Sequence, residues 1–286
     1  MIKNRAFFNP VIDPMRNKHP LKTVLLDMDG VLWHGSKAVI DIKALFDAIQ
    51  GLGLEPFCVT NNSTRTVSYH LGILEGFGVS LEPSRVITSA EATAEFLKDE
   101  FPLAGDLFVI GEEGIKEALV SSGFQILGDD PAQAALAVVV GLDRALTYQE
   151  LELAVRFLER GALFIGTNPD LTIPTPSGPA PGAGTLIKAI EVSSGKKPYI
   201  IGKPYPALYS LALSRANSLP EETLMIGDRL DTDILGAQKM GLWTALVLSG
   251  ISTREQVENW DPKPDFIADD VLQVLGLLRK DNAKFI

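Results

Sequence analysis

The sequence predicts an α/β fold built on a parallel sheet, and three observations carry that reading. Short apolar runs alternate with helical patterns along nearly the whole chain, and strand–helix alternation builds βαβ units. The runs are solidly apolar, as in Val24-Leu25-Leu26 and Thr223-Leu224-Met225-Ile226, which fits strands covered by helices on both faces. Several runs end in Asp, Gly, Thr or Lys, and the C-terminal ends of strands in open α/β sheets are where ligands bind.

Strands are predicted at Thr23–Asp27, Pro56–Thr60, Asp106–Ile110, Ala135–Val140, Ala162–Gly166, Pro198–Gly202, Thr223–Gly227, Trp243–Leu248 and Phe266–Ala268. Helices are predicted at Asp41–Gln50, Val67–Glu75, Glu112–Ser121, Tyr148–Arg160, Leu186–Ser193, Ala207–Ala216 and Val271–Lys280. Thr147-Tyr148-Gln149-Glu150 and Ser252-Thr253-Arg254-Glu255 have capping-box spacing and mark two helix starts. Leu171 to Gly184 is dense in Pro and Gly and reads as a loop followed by a linker. A softer boundary lies at Glu82-Pro83-Ser84-Arg85. Together they bracket a middle segment, so the expectation is a discontinuous sheet domain, residues 1–84 and 183–286, with a second α/β domain inserted at 85–182. Residues 1–22, interrupted by Pro10, Asp13 and Pro14, read as an arm or strap without a signal-peptide pattern.

Composition narrows the function classes. Of 286 residues, 46% are hydrophobic and 22% charged, as in ordinary globular proteins, and the net charge is −10. That balance speaks against a nucleic-acid partner, which would need clustered Lys and Arg. An anionic ligand must then be drawn in locally by a metal ion, a lysine or a helix N-terminus. No apolar run is long enough to span a membrane. The lone cysteine, Cys58, lies in the apolar run Phe57-Cys58-Val59; it reads as a core residue, and with no partner for an internal disulfide the expected compartment is the reducing cytoplasm.

Four strand ends carry the chemistry. Asp27 and Asp29 follow the first core strand, Thr60-Asn61-Asn62-Ser63 the second, Gly202-Lys203-Pro204 the run Pro198 to Ile201, and Asp228 through Asp233 the run Thr223 to Ile226. In one parallel sheet all four would converge on a single edge. Their carboxylates, hydroxyl and amide donors and one ammonium suit phosphoryl transfer. A carboxylate can attack phosphorus, and a second can act as general acid and base. Mg²⁺ takes a few carboxylates together with waters and phosphate oxygens. Gly51-Leu52-Gly53 precedes a strand, so it is no dinucleotide fingerprint. His19, His34 and His70 lack zinc-site spacing.

From Leu21 onward the chain resembles the haloacid dehalogenase (HAD) superfamily, and within it the NagD-like phosphatases that carry a large α/β cap inserted between the second and third motifs. The residues that carry the resemblance are Asp27-Met28-Asp29-Gly30-Val31-Leu32-Trp33, Val59-Thr60-Asn61-Asn62-Ser63, Ile201-Gly202-Lys203-Pro204 and Gly227-Asp228 through Thr232-Asp233. The resemblance implies a Rossmann-like HAD core with 85–182 as the cap. It implies Asp27 as nucleophile, Asp29 as general acid/base, and Thr60 with the amide of Asn61 as holders of the phosphoryl group. Lys203 would neutralise charge on nucleophile and phosphate. Mg²⁺ would bind Asp27, the backbone carbonyl of Asp29, and Asp228, with Asp233 supporting the site. Asn61, Asn62 and Lys203 are substrate-binding candidates, and so are Asn168 and Asp170 of the cap loop Thr167-Asn168-Pro169-Asp170, where turn chemistry is the competing reading. Trp33 and His34 are candidates to line the entrance, with a packed or exposed structural role as the alternative for His34. Caps of this kind resemble those that pair into dimers, so the resemblance admits a homodimer through this segment.

The leading expectation is a Mg²⁺-dependent phosphatase of small phosphomonoesters acting through an aspartyl-phosphate. Phosphoglycolate, a nucleoside monophosphate, pyridoxal phosphate and a sugar phosphate all stay open as substrates. Two other classes compete. A glycosyltransferase using Asp27-Met28-Asp29 for a sugar nucleotide gives no role to Lys203 or Asp233. A non-catalytic phosphometabolite sensor on the same fold has no need of Asp29.

Overall fold

The computed structural model describes residues 19–280 apart from 36, 131 and 176. Most of the expected N-terminal arm, residues 1–18, lies outside the described residues. In chain order the strands are β1 (Thr23–Leu26), β2 (Trp33–His34), β3 (Lys37–Ala38), β4 (Glu55–Thr60), β5 (Val86–Thr88), β6 (Asp106–Ile110), β7 (Gln125–Ile126), β8 (Ala137–Val140), β9 (Leu163–Gly166), β10 (Thr172–Thr175), β11 (Gly178–Pro181), β12 (Tyr199–Ile200), β13 (Thr223–Gly227), β14 (Trp243–Val247) and β15 (Phe266–Ala268). The described residues form two compact units: those up to Thr60, His70–Ile87 and from Tyr209 onward make the first, and Asn61–Tyr69 with Thr88–Leu208 make the second.

The first unit is built on a six-stranded sheet of order β15-β14-β13-β1-β4-β5. β1 sits in the middle, parallel to β13 on one side (Leu26 opposite Ile226) and to β4 on the other (Leu26 opposite Cys58). Its residues Val24, Leu25 and Leu26 are fully buried, each contributing about 1.5–3 kcal/mol relative to exposure. Parallel pairing brings the C-terminal ends of β1, β4 and β13 to one edge, and Asp27, Thr60 and Asp228 with them. The helix Ile42–Gly51 starts where Asp41 accepts a hydrogen bond from the Ala44 amide at 2.9 Å and buries Ile42, Leu45, Phe46 and Ile49.

The second unit has its own five-stranded sheet, order β12-β9-β8-β6-β7, with parallel pairing throughout. Its core gathers Phe108 and Phe157, with ring centroids 5.0 Å apart, together with Val138, Val140, Ile187 and Ile190. The helix Tyr148–Glu159 begins with the expected capping box: Thr147 Oγ1 accepts from the Glu150 amide at 3.3 Å, and the Glu150 carboxylate accepts from the Thr147 amide at 2.7 Å.

Several expectations give way. The strand ahead of Lys203, β12, pairs with β9 in the second sheet (Ile200 opposite Gly166), so only three of the four motif strands share a sheet. The helix Ala183–Ser194 likewise buries Ala183, Ile187 and Ile190 in the second core, although 183–208 was expected with the first sheet. Residues 171–184 are no structureless linker: β10 and β11 form an antiparallel hairpin, with Pro174 opposite Pro179 and Thr172 opposite Pro181. Facing prolines can exchange no hydrogen bond, so these two pairs, spaced by two residues, are the non-bonded rungs of the ladder. All three prolines thus sit where no amide donor is needed. The later capping box is shifted by one residue, with Thr253 as N-cap and Gln256 as its partner. The short strands β5 and β7 and the helices Ser89–Glu100 and Leu235–Met240 had no counterpart among the predicted elements.

Replacing Thr147 by Ala removes one reciprocal cap from an exposed helix start. It is expected to lower stability by about 1 kcal/mol, read as a lower denaturant midpoint at unchanged slope.

Candidate active site

Three buried carboxylates define the site in the first unit. Asp27 follows β1, Asp228 follows β13, and Asp233 comes five residues later; each offers an oxygen within 4.8 Å of the others. Their exposures are 8%, 2% and 1%. Three carboxylates this close and this buried repel one another and have lost most of their hydration, a combination that a bound cation offsets. Among the described residues this is the one group of His, Cys, Asp or Glu with such spacing.

The local backbone explains how the chain packs acids so tightly. Residues 230–234 form a single π-helical turn, with the amides of Asp233 and Ile234 both donating to the Arg229 carbonyl at 3.0 and 3.1 Å. This wide turn returns the Asp233 carboxylate to the strand end, where it accepts from the Arg229 amide at 3.1 Å. Tyr209, fully buried, donates from its hydroxyl to the carbonyls of Asp233 (2.9 Å) and Thr232 (3.2 Å). Burial, and then the charges of Asp233 and Asp27, raise that phenol well above its ordinary range, so it stays a donor. Gly30 takes φ +87°, and a Cβ there would lie 2.5 Å from Asp228 Oδ2; glycine is required on both counts.

One supporting segment had no place among the motifs. The loop Ser249-Gly250-Ile251-Ser252 follows β14 and wraps Asp228. The Ile251 amide donates to Asp228 Oδ2 at 2.8 Å, the Ser252 amide donates to the Asp228 carbonyl at 3.0 Å, and Ser252 Oγ accepts from the Leu230 amide. Ser249 Oγ donates to the Gly30 carbonyl at 2.7 Å. A Cβ at Gly250 would lie 1.9 Å from Asp228 Oδ2. The only sequence signal was a Ser-Gly pair after a strand, which is also ordinary turn chemistry.

The remaining first-unit candidates fall as follows. Thr60 is buried at the end of β4. Asp29 is exposed, so its carboxylate stands outside the acidic group. It occupies the tight loop 28–33, closed by hydrogen bonds from Leu32 to the Met28 carbonyl and from Gly30 to the Trp33 carbonyl. Trp33 is a core residue stacked on Phe77, with centroids 6.3 Å apart, and does not line an entrance. His34 is exposed, its Nε2 2.8 Å from the Ser249 carbonyl. Cys58 is fully buried, and burial, with a smaller contribution from the charge of Asp27, pushes its thiol up to about 12.

In the second unit the candidates form a network of their own. The Asn61 side chain accepts from the Lys203 amide (2.7 Å) and donates to the Lys203 carbonyl (3.0 Å) and to Asp170 (3.1 Å). Asn168 donates to the Asn61 carbonyl at 2.8 Å and accepts from the Asp170 amide at 3.2 Å. Lys203 is 2% exposed. Asn62 caps a turn: its side-chain oxygen accepts from the amide and hydroxyl of Thr64, both at 2.8 Å. Asn61, Asn168, Asp170 and Lys203 are therefore brought together, and the Asn62 side-chain oxygen closes its own loop.

Comparison with known proteins places this arrangement. Residues 24–125 match the family described as haloacid dehalogenase-like hydrolase, and 200–274 one described as HAD-hydrolase-like. The chain is 34% identical to an acid sugar phosphatase of Staphylococcus aureus (strain USA300), over 91% of this chain and 98% of that one. Among solved structures it resembles the p-nitrophenyl phosphatase from Archaeoglobus fulgidus (31% identity, TM-score 0.84, covering 91% of this chain and 100% of that one) and NagD from E. coli K-12 (34% identity, TM-score 0.80, covering 88% and 97%). The chain belongs to the haloacid dehalogenase-like hydrolases and is a phosphatase of their NagD-like group. The expected fold class, family and enzyme class are thus borne out. Among the described residues no helix is long and apolar enough to cross a membrane.

Two outcomes test this geometry. Gly250→Ala must displace Asp228, so the variant is expected to show a smaller gain in Tm on adding Mg²⁺ than the parent protein, measured side by side with and without EDTA. A thiol whose pKa is raised from 9.0 to about 12 on folding contributes stability that is fully present below pH 9 and lost as pH rises towards 12. Cys58→Val is therefore expected to lose less stability than the parent between pH 9 and pH 12 in chemical denaturation.

Proposed function

We propose that this chain is a Mg²⁺-dependent phosphatase of small phosphomonoesters that works through an aspartyl-phosphate on Asp27. The observation that carries the reading is the buried group of Asp27, Asp228 and Asp233, with oxygens within 4.8 Å of one another. A cation offsets the mutual repulsion in such a group, and hard oxygen ligands suit Mg²⁺. When bound there by Asp27, Asp228 and the backbone carbonyl of Asp29, with Asp233 in support, Mg²⁺ supplies the positive charge that lets an anionic nucleophile approach an anionic phosphate.

The chain's own residues carry the rest. The Asp27 carboxylate attacks phosphorus, forming an acyl-phosphate bond as the ester oxygen leaves. Asp29 protonates the departing oxygen; it then takes a proton from water, which attacks phosphorus and releases inorganic phosphate and the Asp27 carboxylate. The solvent exposure of Asp29 supports this role, since its carboxyl must exchange protons. Thr60 and the Asn61 amide hold the phosphoryl oxygens, and Lys203 balances their charge. The domain that selects substrate is the inserted cap, which corresponds to the second unit and runs on to Leu208. A homodimer through that cap and a cytoplasmic location belong to the same reading; the latter is supported by a single, buried, unbridged cysteine.

The substrate class draws support from relatives named acid sugar phosphatase and p-nitrophenyl phosphatase. The test is phosphate release over a panel of sugar phosphates, nucleoside monophosphates, phosphoglycolate, pyridoxal phosphate and p-nitrophenyl phosphate, with Mg²⁺ and with EDTA. Asp27→Asn is expected to lower kcat by a factor of about 10³ or more while leaving Tm close to the parent value, because it removes the nucleophile. Substantial turnover by that variant, or in EDTA, overturns the mechanism.

A further inference from the structure

The second unit holds Lys203 by its backbone, and the hold passes through residues first expected to touch substrate. A lysine side chain has four rotatable carbon–carbon bonds, so where its ammonium can rest depends on how firmly its Cα is fixed. Here one planar amide grips both backbone groups of Lys203. Asn61 Oδ1 accepts from the Lys203 amide at 2.7 Å, and Asn61 Nδ2 donates to the Lys203 carbonyl at 3.0 Å. The second Nδ2 hydrogen goes to Asp170 Oδ2 at 3.1 Å. The partners fix which way the amide faces: a backbone N–H can only donate, and a carbonyl and a carboxylate here only accept. Both Nδ2 hydrogens are therefore committed.

The neighbouring sequence is fitted to this grip. A Cβ at Gly202 would lie 2.6 Å from Asn61 Oδ1 and 2.7 Å from the Thr167 carbonyl, so residue 202 must be glycine for Asn61 to reach across. Asn168 holds the other side, donating to the Asn61 carbonyl at 2.8 Å and accepting from the Asp170 amide at 3.2 Å. Ser89 Oγ donates to that same Asn61 carbonyl at 2.6 Å.

We infer that Asn61 and Asp170 form a clamp that positions Lys203, so that Asp170 is a positioning residue and not a substrate ligand. Asp170 anchors the Asn61 amide, and the amide sets the Lys203 backbone. The benefit to catalysis rests on the phosphatase reading of Lys203; the clamp itself is measurable without it.

The experiment has two arms, on Asp170→Ala, Asp170→Asn and Lys203→Gln. Hydrogen exchange at the Lys203 amide, followed by NMR, is expected to quicken about 10-fold or more in Asp170→Ala, because the amide that accepts from it loses its anchor. Asp170→Asn keeps an oxygen facing Asn61 Nδ2 and should restore protection. With p-nitrophenyl phosphate, kcat/KM should fall about 10- to 100-fold in Asp170→Ala, chiefly in kcat. In the Lys203→Gln background the same change should cost less than about 2-fold, since a residue acting through Lys203 has nothing left to position. Losses that multiply in full, or a Lys203 amide whose exchange does not respond to Asp170→Ala, overturn the proposal. Should Asp170→Ala fail to fold, Asp170→Ser takes its place. A parent protein that hydrolyses no ester defeats the phosphatase reading, and the exchange arm still decides the clamp.

Discussion

The crowding of Asp27, Asp228 and Asp233 is the constraint around which the first unit is arranged. Buried like charges within 4.8 Å cost more than any one hydrogen bond returns, so the surrounding chain supplies donors and removes obstacles. Backbone amides from Arg229 and Ile251 point at two of the three carboxylates. Glycines stand at 30, 227 and 250 because a Cβ at any of them would lie within 2.5 Å of an Asp228 or Asp233 atom. Tyr209 stays protonated under the pressure of the same charges and ties the π-helical turn to its helix. The close fit of acid against glycine also ties three separate loops, after β1, β13 and β14, into one structural unit.

The second unit meets a different requirement. It must fix a buried lysine backbone using neutral and anionic side chains rather than metal ligands. The solution is a network in which Asn168, Asp170, Asn61 and Lys203 are each engaged by a neighbour. This accounts for a loop whose Asn-Pro-Asp sequence looks like ordinary turn chemistry. Asn168 does make the turn, and the bond from its Nδ2 to the Asn61 carbonyl is what couples the turn to Asn61.

Where sequence reasoning ran short, the reasons are specific. The Pro-rich stretch 171–184 reads as a breaker because proline lacks a donor, yet prolines paired across non-bonded rungs of a hairpin lose nothing. β12 is only two residues long, and nothing in Tyr199-Ile200 says which sheet it joins; the choice follows from the packing of the preceding helix through Ile187 and Ile190. Trp33 follows a motif closely and so drew a site role, but its ring is core packing against Phe77. Loop 249–252 contributes two backbone amides, which every sequence possesses, and two serine hydroxyls, which are common in any turn.

The sequence by itself determined the parallel α/β class, the places where strands end, and the identity of the acids. Apolar runs and the carboxylates that follow them are local patterns, set by residues adjacent in the chain. It also determined that Cys58 belongs to the core. Only the tertiary structure decided which acids cluster, since Asp29 is two residues from Asp27 yet points to solvent, whereas Asp233 lies 206 residues away and joins it. Proximity there is set by β1 pairing with β13 and by one wide helical turn. Tertiary structure likewise decided that Asn61 and Asp170 serve Lys203, because hydrogen bonds spanning more than 100 residues depend on how the chain folds back, not on the residues beside them.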